Sequence, residues 1–201
     1  MLRFLLAPLI AFMHLYTAPL TLVSMVDQVR ASVVHVQTFV QMPDGSGFGV
    51  GFCTGEVVAK DVVLTAAHCA GSTMLVDGRE ATVTQLDIPD DLAILVTHTL
   101  NKPVIVMRDQ PVKFMELLTG IGYVKDTFVV VQGQAFSIGV PPPWDSGSAA
   151  GILINHNYVH GMSGGPVVDA DGQMVGIIQQ TDENIGYGVG IQTIKAFLEA
   201  K

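Results

Sequence analysis

The sequence predicts an all-β fold, a sandwich or a barrel, and two observations carry that reading. Short runs of aliphatic and β-branched residues recur along the chain, separated at short intervals by Gly, Asp and Pro turn signals. Helical spacing appears only at the carboxyl end, so strands and helices do not alternate as a parallel sheet requires. Composition agrees. With 49% hydrophobic and 14% charged residues in 201, the chain can bury a real core and is not disordered. Its net charge of −8 argues against a nucleic-acid partner.

The first strand is expected at residues 33–40, where Val33-Val34-His35-Val36 opens a β-branched, partly alternating run. Pro43-Asp44-Gly45-Ser46-Gly47 is a turn. Residues 48–52 and 56–59 read as two strands separated by small residues, and 61–65 as another. Strands at 72–76, 80–86 and 92–96 follow, with Asp77-Gly78 and Pro89-Asp90 marking turns. Residues 101–109 connect the halves. Residues 113–124 and 127–138 form a long hairpin turning near Lys125-Asp126, and residues 140–148, with Pro141-Pro142-Pro143, form a loop. Strands at 151–154, 166–168, 173–179 and 186–191 complete the second half. Ile191, Ile194, Phe197 and Leu198 fall at three-to-four spacing, so the chain closes on a helix with Thr193 near its start.

Residues 1–25 stand apart. Arg3 is their one charge, and an apolar run follows it to about Met25. One early positive charge before an apolar stretch is the pattern of an export signal. The run is also long enough for a membrane anchor, and the alternative reading is a buried amino-terminal helix of the domain. The expectation is a signal peptide or anchor at 1–25 and one domain at 26–201, with subdomains at about 26–105 and 106–190 before the helix. The location expected is therefore outside the cytoplasm, with membrane attachment possible only through residues 1–25.

Three local motifs carry the chemistry: Thr65-Ala66-Ala67-His68-Cys69, Asp90-Asp91-Leu92-Ala93-Ile94-Leu95 and Gly161-Met162-Ser163-Gly164-Gly165-Pro166. Each sits at a strand end, and together they supply His, Asp and Ser. A serine hydroxyl needs a base to remove its proton, and imidazole titrates near neutral pH. The imidazole needs a carboxylate to fix its tautomer. Glycines beside the serine let backbone N–H groups approach a developing oxyanion. Taken singly, Ser163 reads equally as a turn residue, His68 as a core histidine and Asp91 as a turn acid. Gly161-x-Ser163-x-Gly165 also fits the nucleophile elbow of α/β-hydrolases. That triad runs serine, acid, histidine, and no histidine follows Ser163.

On these motifs the chain resembles the trypsin-like serine peptidases of chymotrypsin fold, the HtrA proteases among them, from about residue 26 to 199. Val29 to Gln37 followed by Gly45-Ser46-Gly47-Phe48 is similar to the opening of HtrA protease domains, as Gly186-Tyr187-Gly188-Val189 before a helix is to their end. The resemblance implies two six-stranded antiparallel β-barrels with the site between them, polypeptide substrates and no cofactor or metal. It implies Ser163 as nucleophile, His68 as base and then acid, and Asp91 as the orienting acid, with Asp90 second choice. It assigns the oxyanion hole to the amides of Gly161 and Ser163, and pairs Cys53 with Cys69 as a disulfide.

Departures are equally definite. Met162 stands where digestive members carry the aspartate of their activation switch. No PDZ domain is expected after the helix, and PDZ-dependent assembly is not implied. For the substrate pocket the resemblance points to Asn157 and Tyr158 at the base, Gln179, Gln180 and Thr181 on one wall, Gly186 and Gly188 on the other, and His160 at the edge. None is a carboxylate, so an apolar or small uncharged side chain before the cleaved bond is expected. His156 and His160 share i,i+4 spacing, but in a loop without a third ligand. A competing reading is a protease-fold protein that binds peptides or partners without hydrolysis. A narrower one is a peptidase acting on its own precursor.

Overall fold

The structure is a computed structural model and describes residues 21–42, 44–141, 151–182 and 184–200. Residues 1–20 of the expected export segment, Pro43 of the first turn and residues 142–148 of the proline loop lie outside the described residues.

β1 (Val33–Gln41), β2 (Phe48–Ala59), β3 (Val62–Ala66), β4 (Thr73–Val76), β5 (Arg79–Asp87) and β6 (Leu92–Val96) join in the order β1-β2-β3-β6-β5-β4. Antiparallel pairing of β1 with β4 closes them into a barrel. β7 (Leu117–Val124), β8 (Thr127–Val140), β9 (Gly151–Ile154), β10 (Pro166–Val168), β11 (Met174–Asp182) and β12 (Ile185–Gly190) join in the order β10-β11-β12-β9-β8-β7, and β10 closes on β7. The fold is therefore the chymotrypsin-like pair of six-stranded antiparallel barrels that the resemblance implies.

Each barrel packs its own interior. Val34, Val36, Cys53, Val57, Val63 and Leu95 fill the first, and Leu118, Ile152, Ile154, Val167, Val175 and Ile178 the second. The largest apolar cluster belongs to neither. Val33, Leu64, Leu92 and Ile94 of the first barrel meet Ile121, Val168, Met174, Ile177 and Val189 of the second. β2 displays this double burial. Its side chains alternate, so Cys53 and Val57 point inward while Thr54 and Glu56 point out of the barrel. Thr54 and Glu56 are nevertheless 0% exposed. The second barrel covers the outer face.

Two helices cover the seam. α1 (Leu22–Arg30) begins at Thr21, whose hydroxyl accepts the Ser24 N–H at 3.2 Å, and buries Met25 and Val29 on one face. Arg30 lies 4.4 Å above the Phe128 ring. α2 (Ile191–Glu199) buries Ile191, Ile194 and Phe197.

The structure bears on the sequence reading in three places. α1 spans residue 25, the boundary expected between the apolar amino-terminal segment and the domain, and Met25 is only 2% exposed within it. The strands at 48–52 and 56–59 are one. β2 pairs with β1 from Gln41↔Phe48 to Val33↔Glu56 without interruption, since small residues within it do not break a ladder made by backbone groups. Thr193 lies within α2, whose N-cap is Gly190 without a side-chain cap.

Candidate active site

β3 runs into a single 3₁₀ turn, Ala67–Cys69, which lifts His68 out of the barrel with its side chain 48% exposed. The turn before β6 brings Asp91 beneath it. Asp91 has φ +52°, a left-handed conformation that Asp tolerates better than most residues. Its Oδ2 lies 2.7 Å from His68 Nδ1, and its Oδ1 accepts the His68 backbone N–H at 2.8 Å. Its carbonyl accepts the Ala67 N–H at 3.0 Å. One residue thus holds both the ring and the main chain of His68. Asp90 does not: its N–H donates to Asp87 Oδ1 at 3.1 Å, and burial with the nearby Asp87 charge pushes its carboxyl above the ordinary range.

A disulfide joins Cys53 to Cys69, bracing β2 against the turn that carries His68. Cys53, His68 and Cys69 bring three potential ligand atoms within 4.8 Å of one another, but two are bonded sulfurs and offer no thiolate.

Ser163 comes from the second barrel, on the loop before β10. Gly161 sits at φ +103°, and a Cβ there would lie 2.6 Å from the Tyr123 carbonyl oxygen, so both conformation and space require glycine. Met162 N–H donates to Val159 O at 2.9 Å, Gly165 N–H to Met162 O at 2.9 Å and Gly164 N–H to Ile178 O at 2.7 Å. Met162 is fully buried and packs in the second barrel's interior, which accounts for an apolar residue beside the serine. Ser163 Oγ donates to the Gln179 carbonyl at 3.2 Å. Rotation about its χ1 is the move that redirects it.

A cleft of about 800 Å³ between the barrels is lined by His68, Asp91 and Ser163, with Tyr158, His160, Gln179, Gln180 and Thr181 along the second barrel and Ile88 and Pro89 along the first. Tyr158 forms a wall, 5% exposed. Cβ atoms on Gly120 or Gly186 would come within 2.5 and 2.6 Å of its ring, so these glycines make room for it. Burial pushes the Tyr158 phenol well above its ordinary range. Its hydroxyl, Gln179 Oε1 and Gln180 Nε2 are buried without a hydrogen-bond partner among the described residues. Asn157 stands just behind the wall, its Oδ1 accepting the Thr181 hydroxyl at 3.3 Å. Gly186 touches the cleft only through the Tyr158 ring. Gly188 faces Ile177 and Val167, away from the lining.

Two residues escaped the sequence reading. Thr54 bonds across the seam to the serine loop, and Glu56 is buried two residues further along. Neither lies in a recognisable motif. The signal available was the pair of polar residues, Thr54 and Glu56, at alternate positions of an otherwise apolar strand.

Known proteins match this architecture. A family model described as the trypsin-like peptidase domain matches residues 53–177. Serine protease HTRA4 of Mus musculus is 29% identical over 88% of this chain, and serine protease HTRA3 of Mus musculus is 25% identical over 76%. The chain spans about 40% of the length of these relatives. Among solved structures, the active form of the M. tuberculosis Rv3671c protease is 26% identical, with a TM-score of 0.74 over 87% of this chain and 82% of that one. An HtrA-type protease, AlgW with a tripeptide, shares the fold with a TM-score of 0.78 at 20% identity, over 90% of this chain and 63% of that one. Because the matched segment takes in more than half of the chain, with His68, Asp91 and Ser163 all inside it, this protein belongs to the trypsin-like peptidase domain family.

Proposed function

We propose that the protein is a serine endopeptidase that hydrolyses polypeptides through an acyl-enzyme. The observation that carries this reading is the pairing of His68 with Asp91 on the wall of a cleft that Ser163 also lines. Ser163 Oγ leaves the Gln179 carbonyl and gives its proton to the free nitrogen of His68 as it attacks the scissile carbonyl. Asp91 holds the imidazole and balances the imidazolium. The amides of Gly161 and Ser163 receive the oxyanion. His68 then protonates the departing amine, and a water molecule, deprotonated by His68, releases the acid product and restores Ser163.

Asp91, engaged with His68, is the one carboxylate among the cleft residues named above, and the Tyr158 ring forms part of the wall. A small or apolar uncharged side chain before the cleaved bond fits this lining. Export through the apolar amino-terminal residues accords with the disulfide, since such bonds persist in oxidising compartments. A processing point upstream of Thr21 would leave α1, with its buried Met25, inside the domain. No helix among the described residues is long and apolar enough to cross a membrane.

A fluorophosphonate probe applied to the full chain tests the reading. Wild type is expected to label, Ser163→Ala not at all and His68→Ala only marginally. A folded wild-type chain that stays unlabelled would refute the enzyme and favour a peptide-binding role. Digestion of a peptide library then reads the side-chain preference.

A further inference from the structure

We propose, building on the peptidase reading above, that Thr54 is a positioning residue that sets the oxyanion loop from the opposite barrel. Thr54 lies in β2 and is 0% exposed, yet every polar group it carries is bonded. Its hydroxyl donates to Gly161 O at 2.8 Å and accepts the Tyr123 N–H at 2.8 Å. Its N–H donates to Ser163 O at 2.9 Å. Its carbonyl accepts the Thr65 hydroxyl at 2.7 Å, in the strand that leads to His68. Three of these four partners, Gly161, Ser163 and Tyr123, belong to the second barrel.

The order of the peptide planes gives this arrangement its function. The oxyanion donors would be the N–H groups of Gly161 and Ser163, in the planes joining 160 to 161 and 162 to 163. The carbonyls that Thr54 holds lie in the planes joining 161 to 162 and 163 to 164. Thr54 therefore fixes the two alternate planes and brackets the Ser163 amide between them. Bonds from within the second barrel restrain Met162, Gly164 and Gly165, but those two carbonyls are held from across the seam. The hydroxyl adds what a backbone strand alone lacks, a second donor directed at Gly161 O. Valine would fill the same volume and leave Gly161 O and the Tyr123 N–H unpaired. Serine would restore both bonds.

The test uses the full chain with a chromogenic peptide substrate, a peptide boronic acid that mimics the tetrahedral adduct, and a product peptide. Thr54→Val is expected to lower kcat roughly 10- to 100-fold, a fraction of the ~10²–10³ that losing a whole oxyanion donor costs. KM is expected to stay within about threefold. Boronate affinity is expected to fall by the same factor as kcat while product-peptide affinity holds, and Thr54→Ser should recover both. If Thr54→Val keeps wild-type kcat, or if kcat, product affinity and boronate affinity fall together, the proposal is overturned. Should Thr54→Val not fold, Gly122→Ala reaches the same junction from the other side. Its Cβ would sit 2.9 Å from Thr54 Oγ1 and 3.0 Å from Met162 Cα. It should lower kcat roughly 3- to 10-fold, again a part of the donor loss, and unchanged kcat would overturn the proposal. Failure of the wild type to label at Ser163 is a separate result. It removes the peptidase reading, and the role of Thr54 with it.

Discussion

The two barrels bring their parts of the cleft in different states of readiness. The first presents His68 already fixed to Asp91 by ring and main chain, on a turn braced by a disulfide. The second presents Ser163 with its hydroxyl directed at the Gln179 carbonyl, on a loop whose Gly161 and Ser163 carbonyls are held by a residue of the first barrel. The contrast teaches that a site assembled from two rigid units needs its orienting bonds within one unit and its aligning bonds between them. Misplacement by about 1 Å can cost a reaction 10²-fold.

Asp91→Asn is the harshest way to break that contrast. The amide keeps the shape but favours the wrong imidazole tautomer, and a loss of about 10³- to 10⁴-fold in kcat is expected, read with a peptide substrate. The change should leave the melting temperature nearly untouched. Gly161→Ala attacks the other side. The substituted residue is strained at φ +103° and meets the Tyr123 carbonyl oxygen, so the loop must shift. Roughly 10²–10³-fold loss in kcat is expected, as for removal of one oxyanion donor. Equal kcat in this variant and wild type would mean that the loop tolerates what its geometry forbids.

Stability variants sharpen the comparison without touching the cleft. Arg108 lies on the connection between the barrels, and its Nη1 reaches Asp169 Oδ2 at 3.1 Å while Nη2 reaches Glu116 Oε2 at 3.1 Å. Both pairs tie the connection to the second barrel. Arg108→Met leaves the buried Asp169 carboxylate without its cation, and about 3 kcal/mol of stability should be lost in urea unfolding. Hydrogen bonds to Arg108 are the main reason the Glu116 carboxyl titrates below its ordinary value. Its contribution is therefore present above the unfolded pKa and lost as pH falls through the lower folded value. Arg108→Met should lose that acid-side dependence.

Glu56 gives the smallest effect and the opposite sign. Burial raises its carboxyl well above its ordinary value, and neither carboxyl oxygen has a hydrogen-bond partner among the described residues. The folded form then binds a proton that the unfolded form has released, so stability is fully present below the unfolded pKa and declines as pH rises through the folded one. Glu56→Gln should flatten that decline. A gain of about 2–4 °C in Tm at pH 8, the equivalent of ~1 kcal/mol in a chain this size, is expected. Little gain should appear at pH 4. A uniform shift at both pH values would place the effect in packing instead of titration.

Much of the fold was legible because turn signals fall where barrel strands end. The strands at 92–96, 151–154 and 166–168 match their expected bounds. β2 misled because Cys53-Thr54-Gly55 looks like an interruption when only side chains are read. α1 was legible only in part, because Leu22, Val23 and Met25 continue an apolar run, and its amphipathic face matters only once a seam exists to receive it. His68, Asp91 and Ser163 were legible as motifs, each local to a few residues. Thr54 was not, since its partners Tyr123, Gly161 and Ser163 lie far along the chain. Gly188 shares a face of β12 with Gly186 but lies two residues further along, where a Cβ would meet the Ile177 carbonyl oxygen and not the Tyr158 ring.

The apolar cluster between the barrels reaches beyond the cleft. Met25 and Val29 of α1 and Ile194 and Phe197 of α2 share it with strands of both barrels. A barrel excised alone would expose that face to water, so neither is a folding unit in its own right. Slow amide protons of β3 and β11 are therefore expected to exchange together, through one global opening, and a chain nicked between the barrels should hold its halves together until both melt at once.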